Sequence, residues 1–239
     1  MIAALFIGFV GIMSAILVAL VARYLNIRTA FLLLVALSLW FTYAGLLGYF
    51  AVINNTALRP PGIVFLLGPV VLFLVFFTVF VARSSGGERL SIAFPLWVLL
   101  GTQTFRAGVE LFLHQLWING IVPKMLTFEG ANVDIYIGVS STLAAWVSTR
   151  GRVGIRAALA WNVLGLLALT NVVLRAVLTS PGPFNLIHAE VPNRMFGAFP
   201  FMFIPGFFVP LAVTLHILAI LAIIASNAQR KSAAAEILA

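Results

Sequence analysis

The sequence contains no cysteine, which excludes disulfides, thiolate nucleophiles and cysteine-held zinc or iron–sulfur centres. Charge is nearly as scarce: 8% of the 239 residues are Asp, Glu, Lys or Arg, only 6 of them acidic. The ten-residue alternation of an outer-membrane barrel is missing. No phosphate-binding loop is present either, because Gly86-Gly87 stands in a polar loop without a preceding strand. Ser140-Ser141-Thr142 has no histidine and base paired with it nearby in sequence, so nothing supports a serine hydrolase.

What remains is apolar. Hydrophobic residues make up 63% of the chain and the mean hydropathy is +1.15, values outside the range of water-soluble domains. Runs of about 20 apolar residues, the length that carries a helix across the hydrocarbon core, alternate with short polar segments. The fold class is therefore all-α, a polytopic membrane protein. The net charge of +8 does not point to nucleic acid, because the basic residues sit at the ends of apolar runs instead of forming one patch.

Seven transmembrane helices are expected, over about 3–22, 31–53, 63–82, 91–119, 134–147, 157–178 and 199–226. They form one domain over 1–228, followed by a short cytoplasmic tail, 229–239. Pro69 is a candidate kink in the third span, and Pro200, Pro205 and Pro210 predict a bent seventh. The phenylalanines between Phe199 and Phe208 read as packing residues. No basic residue precedes the first span, so it reads as a retained helix, not a cleaved signal peptide. Arg23, Arg28, Arg83, Arg89, Arg150, Arg152, Arg156, Arg230 and Lys231 fall at one end of the spans, and Arg59, Lys124 and Arg194 at the other. The positive-inside rule then places the N-terminus outside and the C-terminus in the cytoplasm.

Arg106 and Arg175 lie inside spans and need another reason. Gln103, Arg106, Glu110, His114 and Trp117 would fall within roughly 80° of one another on a continuous helix, a single polar stripe in an apolar segment. By depth, Asp134 and Arg175 come to the level of its outer half, while Glu129, His188, Glu190 and Arg194 occupy outer loops. Ionisable residues in a bilayer cost several kcal/mol unless paired or hydrated, and so mark either structural glue or a site. The expected ligand-binding set is Gln103, Arg106, Glu110, His114, Asp134, Arg175 and His216.

Three readings follow. In the first, these residues line an outward-facing polar pocket that binds or passes a small polar or amphiphilic ligand, an arginine holding an anionic group and Glu110 with His114 exchanging protons. In the second, Glu110 and His114 serve an intramembrane enzyme on a lipid or isoprenoid, as an acid/base pair or as metal ligands joined by His216 or Asp134. In the third, Arg106 and Glu110 neutralise one another, Gln103, Asn162 and Asn171 bridge helices, and the chain is a structural or assembly subunit. Glu-x-x-x-His is a weak metal signal, and haem between His114 and His216 is disfavoured by their different depths. No cofactor follows from the residues. The bilayer is the one sure partner; a membrane-complex partner or a second copy is compatible with all three readings.

Seven spans with an outside N-terminus resemble the opsin architecture in topology alone, because the last span lacks the lysine that a retinal Schiff base requires. Seven-span metal hydrolases also compare in span number, without their several histidines. Phe105-Arg106-x-x-Val109-Glu110-Leu-x-Leu-His114, Leu126-Thr-Phe-Glu-Gly-x-Asn132-x-Asp134-Ile and Ala160-Trp-Asn162 are similar to an uncharacterised group of bacterial multi-span proteins. That resemblance implies an inner-membrane setting and no particular activity.

Overall fold

A computed structural model describes the backbone of residues 1–238 and the side chains of residues 1–227. Arg230 and Lys231, assigned to the tail, lie outside the side chains so described. The described residues are helical with no strand: α1 Ile2–Tyr24, α2 Ile27–Tyr49, α3 Ile63–Arg83, α4 Ser85–Ala93, α5 Leu96–Thr102, α6 Phe105–Ile118, α7 Asp134–Ser148, α8 Gly151–Leu178 and α9 Val209–Leu238. A π-helical turn, Ile204–Phe208, leads into α9. Five segments are long and apolar enough to cross a membrane: α1, α2, α3, α8 and Ile204–Asn227. That is fewer than the seven expected, because the fourth apolar run is broken and α7 has only 15 residues.

The break has a local cause. Pro95 offers no N–H and pushes Phe94 out of the helical region, to φ −96° and ψ 131°, which ends α4. Farther on, the hydroxyls of Thr102 and Thr104 donate to the carbonyls of Val98 and Gly101, both at 2.7 Å, and tight i→i+3 bonds at Gln103–Thr104 separate α5 from α6. A continuous 100° stripe from Gln103 to Trp117 therefore does not exist; only the part from Arg106 onward lies on one helix.

Other boundaries shift for equally plain reasons. Asn26 caps α2, its Oδ1 accepting from the Thr29 N–H at 2.8 Å, so α2 begins earlier than expected and takes in Arg28. Arg152 and Arg156 lie within the first turns of α8. In place of a bent helix from Phe199, residues 199–202 form a turn and the π-helical turn Ile204–Phe208 follows. Phe201, Phe203, Phe207 and Phe208 are all buried, in agreement with packing.

Outward-facing Leu5, Leu32, Leu39, Phe76 and Leu167 are exposed, as expected for helices whose solvent is lipid. Helix α7 packs on α5, α6 and α8, and α9 packs on α3, α4, α5 and α8; α2 is peripheral, burying only Ala30 and Ala44. Gly138 allows a close approach, since a Cβ there would strike the backbone nitrogen of Ala107, bringing α7 directly onto α6.

The loops after α2, α6 and α8 gather at one end. There the Asn54 side chain donates to the Gly197 carbonyl, Arg194 N–H to the Ile121 carbonyl, and Lys124 N–H to Glu190. The opposite end carries the arginine-rich turns and α4.

Candidate functional site

Four helices converge on one guanidinium. Arg106 sits at the start of α6 and is 2% exposed; Asp134 at the start of α7 is 5% exposed, and His216 in α9 is completely buried. Arg106 Nε donates to Asp134 Oδ2 at 2.8 Å, and Nη2 donates to Asp134 Oδ1 and to the Gly165 carbonyl of α8, the latter at 3.1 Å. Nη1 meets His216 Nε2 at 2.7 Å. Because a guanidinium only donates, Nε2 must accept. His216 Nδ1–H then donates to Asn162 Oδ1 at 2.8 Å, and Asn162 Nδ2 donates to the Ala158 carbonyl at 2.8 Å. This chain fixes the neutral Nδ1–H tautomer of His216. It also commits four of the five Arg106 N–H groups inside the protein.

Backbone features make the convergence possible. A Cβ at Gly165 would collide with the His216 ring, coming within 2.6 Å of Nε2, so glycine in the middle of α8 is what lets the imidazole reach the arginine. Asp134 opens α7, where the helix dipole favours a carboxylate. Its N–H donates to Asn132 Oδ1 at 2.9 Å, and Asn132 Nδ2 donates to Glu110 Oε1 at 2.6 Å and to the Leu126 carbonyl at 3.0 Å. Asn132 thus ties both carboxyl residues to the loop before α7.

Two polar atoms in this buried layer have no hydrogen-bond partner in the protein: Gln103 Oε1 and Glu110 Oε2. Gln103 is otherwise anchored, its Nε2 donating to the Ala212 carbonyl at 3.1 Å. Glu110, 1% exposed, lines a cavity of about 200 Å³ together with Arg106 and Asp134. The rest of its wall is apolar: Val70 and Val71 of α3, Val172 and Val173 of α8, Phe208 and Ala212 from the π-turn and α9. Leu126, Met195 and Phe196, all buried, roof it on the loop side. Val71 of α3, one of the lining residues, is 56% exposed, and α3 and α8 both contribute to the wall with little contact between them. The cavity wall is apolar, with Arg106, Glu110 and Asp134 as its ionisable lining residues.

Of the expected site residues, Arg106, Glu110, Asp134 and His216 come together, and Gln103 stands one turn before them. His114 and Arg175 do not join. His114 stacks on Phe128 at 4.8 Å between ring centroids, with Nδ1 3.6 Å from Glu129 Oε1. Glu110 and His114, a turn apart on α6, thus face different partners and do not assemble an acid/base pair. Arg175 Nε donates to Asn171 Oδ1 at 2.9 Å, and Asn171 Nδ2 donates to the Ala131 carbonyl at 2.9 Å, which braces the loop before α7. Among the described residues, no three His, Asp or Glu side chains are grouped to hold a metal ion.

Asn132 and Gly165 were not among the expected set. Asn-x-Asp at the start of a helix is a legible turn signature, and an isolated glycine inside a long helix signals a close approach.

Residues 60–224, more than half of the chain and a segment that includes the whole cluster, match a domain of unknown function, DUF8737. No curated protein and no solved structure matches the chain. The chain belongs to the DUF8737 family.

Proposed function

We propose that this protein crosses the membrane seven times, with the loop-rich end outside and the arginine-rich end in the cytoplasm, and that it binds an amphiphile in the cavity between α3 and α8. The two added crossings are the broken α5–α6 pair and α7. The arginine count at the two ends supports the orientation. A bacterial inner membrane is the setting that the motif resemblance implies.

The observation that carries the binding reading is the division of labour between the ionisable groups. Four of the five Arg106 N–H groups are taken by Asp134, His216 and Gly165, so it is a poor anchor for an anionic ligand. Glu110 lines an otherwise apolar cavity, and its Oε2 is the carboxyl oxygen left without a partner. The ligand that fits is an apolar chain ending in a hydrogen-bond donor, a hydroxyl or an amine. At about 200 Å³ the cavity holds the head and the first part of the chain, the remainder lying in the bilayer through the lateral mouth.

The test is mass spectrometry of solvent extracts from the purified protein and from two variants. Val173→Trp plugs the mouth from α8, and Glu110→Gln replaces the free acceptor with an amide. A hydroxyl- or amine-headed amphiphile is expected with the wild type and lost from Val173→Trp, and an ammonium-headed one, which only donates, is lost from Glu110→Gln as well. Equal recovery from all three sinks the reading.

A structural or assembly role is favoured by one observation, the completeness of the Arg106 network. Under that reading both variants keep their partners and fold, and no amphiphile tracks Glu110.

A further inference from the structure

A second and larger cavity, of about 530 Å³, lies in the arginine-rich half of the bundle between α1, α2, α3, α5 and α9. Its lining includes Leu17 and Val21 of α1, Leu33 and Leu37 of α2, Phe73 and Phe77 of α3, and Leu215 and Leu218 of α9. Polar atoms on this wall are few, and the roof is built by one of them. Pro210 has no N–H to give to the Gly206 carbonyl, and Trp40 Nε1 donates to that carbonyl instead, at 2.8 Å. Just above, Tyr43 Oη donates to the Phe65 carbonyl at 2.8 Å, closing the seam between α2 and α3. Below these two bonds the seam is loose, and Ala36, exposed on α2, stands at the opening.

The dimensions identify an occupant. Along α2 the lining runs from Thr29 to Trp40, about 16 Å at 1.5 Å per residue. Half of a hydrocarbon core of about 30 Å is about 15 Å, so the chamber is one leaflet deep. It starts at Leu25, Thr29 and Leu90, beside the arginine-rich turns. There Arg23, Arg28 and Arg89 are exposed, and no ion pair occupies any of them among the described residues. Glu88 is the sole described carboxylate at that end.

We propose that the chamber holds an acyl chain of an anionic glycerophospholipid from the leaflet at the arginine-rich end, with its phosphate against Arg23, Arg28 and Arg89. The chain enters sideways between α2 and α3 and stops under Trp40. This site is separate from the Glu110 cavity; the π-turn and Val70 form the wall between them.

The experiment is native mass spectrometry of the full chain released from nanodiscs of equimolar phosphatidylglycerol and phosphatidylcholine. The wild type is expected to retain phosphatidylglycerol preferentially, by about fivefold for each engaged arginine. Ala36→Trp, at a lipid-facing position where bulk does not disturb the core, should abolish that retention with circular dichroism and elution unchanged. Arg28→Gln with Arg89→Gln should remove the preference while leaving a retained lipid. Equal retention of both lipids by the wild type, undiminished retention in a folded Ala36→Trp, or an unaltered preference in the arginine variant each overturns the proposal.

Discussion

The two cavities of this bundle share a wall and differ in nearly everything else. The one near the loop-rich end is small and has Arg106, Glu110 and Asp134 among its lining residues, with Glu110 Oε2 lacking a hydrogen-bond partner. The one near the arginine-rich end is more than twice as large and is lined by no ionisable side chain. The difference teaches that buried charge here ties helices to one another through hydrogen bonds, while the larger volume is walled by apolar side chains. The helices divide in the same way: α6, α7 and α8 supply the cluster and fall inside the DUF8737 match, whereas α1 and α2, which build much of the larger chamber, precede it.

The largest effect expected from breaking this contrast is at Arg106. Arg106→Ala leaves Asp134 buried without a counter-charge, a loss of about 3–5 kcal/mol, read as a lower unfolding midpoint in detergent. The same variant leaves phospholipid retention in any surviving folded fraction intact, because the larger chamber does not include the cluster. Gly165→Ala comes next. Its methyl group must displace the His216 ring, costing about 1–3 kcal/mol by the same unfolding assay. If Gly165→Ala is neutral, the close fit of α8 to His216 is not what holds the network. Trp40→Phe sharpens the comparison from the other side: it leaves the Gly206 carbonyl without its indole donor and costs about 1 kcal/mol. Smallest is His114→Ala. His114 is outside the network and its partner Glu129 is largely exposed, so a shift within about 0.5 kcal/mol is expected.

Much of the fold was legible because hydrophobic length is a strong signal: α1, α3 and α7 lie close to where the apolar runs place them. The broken α4–α5–α6 region was not. Pro95 lies inside the apolar run, and the weak turn at Gln103–Thr104 rests on threonine hydroxyls competing for backbone carbonyls, a choice that composition does not reveal. The site divides similarly. Arg106, Glu110, Asp134 and His216 stood out because charge inside a span is costly, and cost is readable residue by residue. Which of them pair depends on three-dimensional closeness between helices far apart in sequence, and there spacing misled: the i, i+4 partners Arg106 and Glu110 do not neutralise one another, because Asp134 and Asn132 intervene from α7 and its preceding loop. His114 shares a helix face with Glu110 by count, yet the aromatic Phe128 draws it to the loop.

The most direct measurement of the central claim is a calorimetric titration of a medium-chain primary alkylammonium and the matching alkane into wild type and Glu110→Gln in lipid nanodiscs. An ammonium only donates, and glutamine puts an N–H where the carboxyl oxygen stood, so the ammonium should bind the wild type and weaken by about tenfold or more in the variant, with the alkane indifferent to the change. Ammonium and alkane binding the wild type alike, or the ammonium binding both proteins equally, would contradict it.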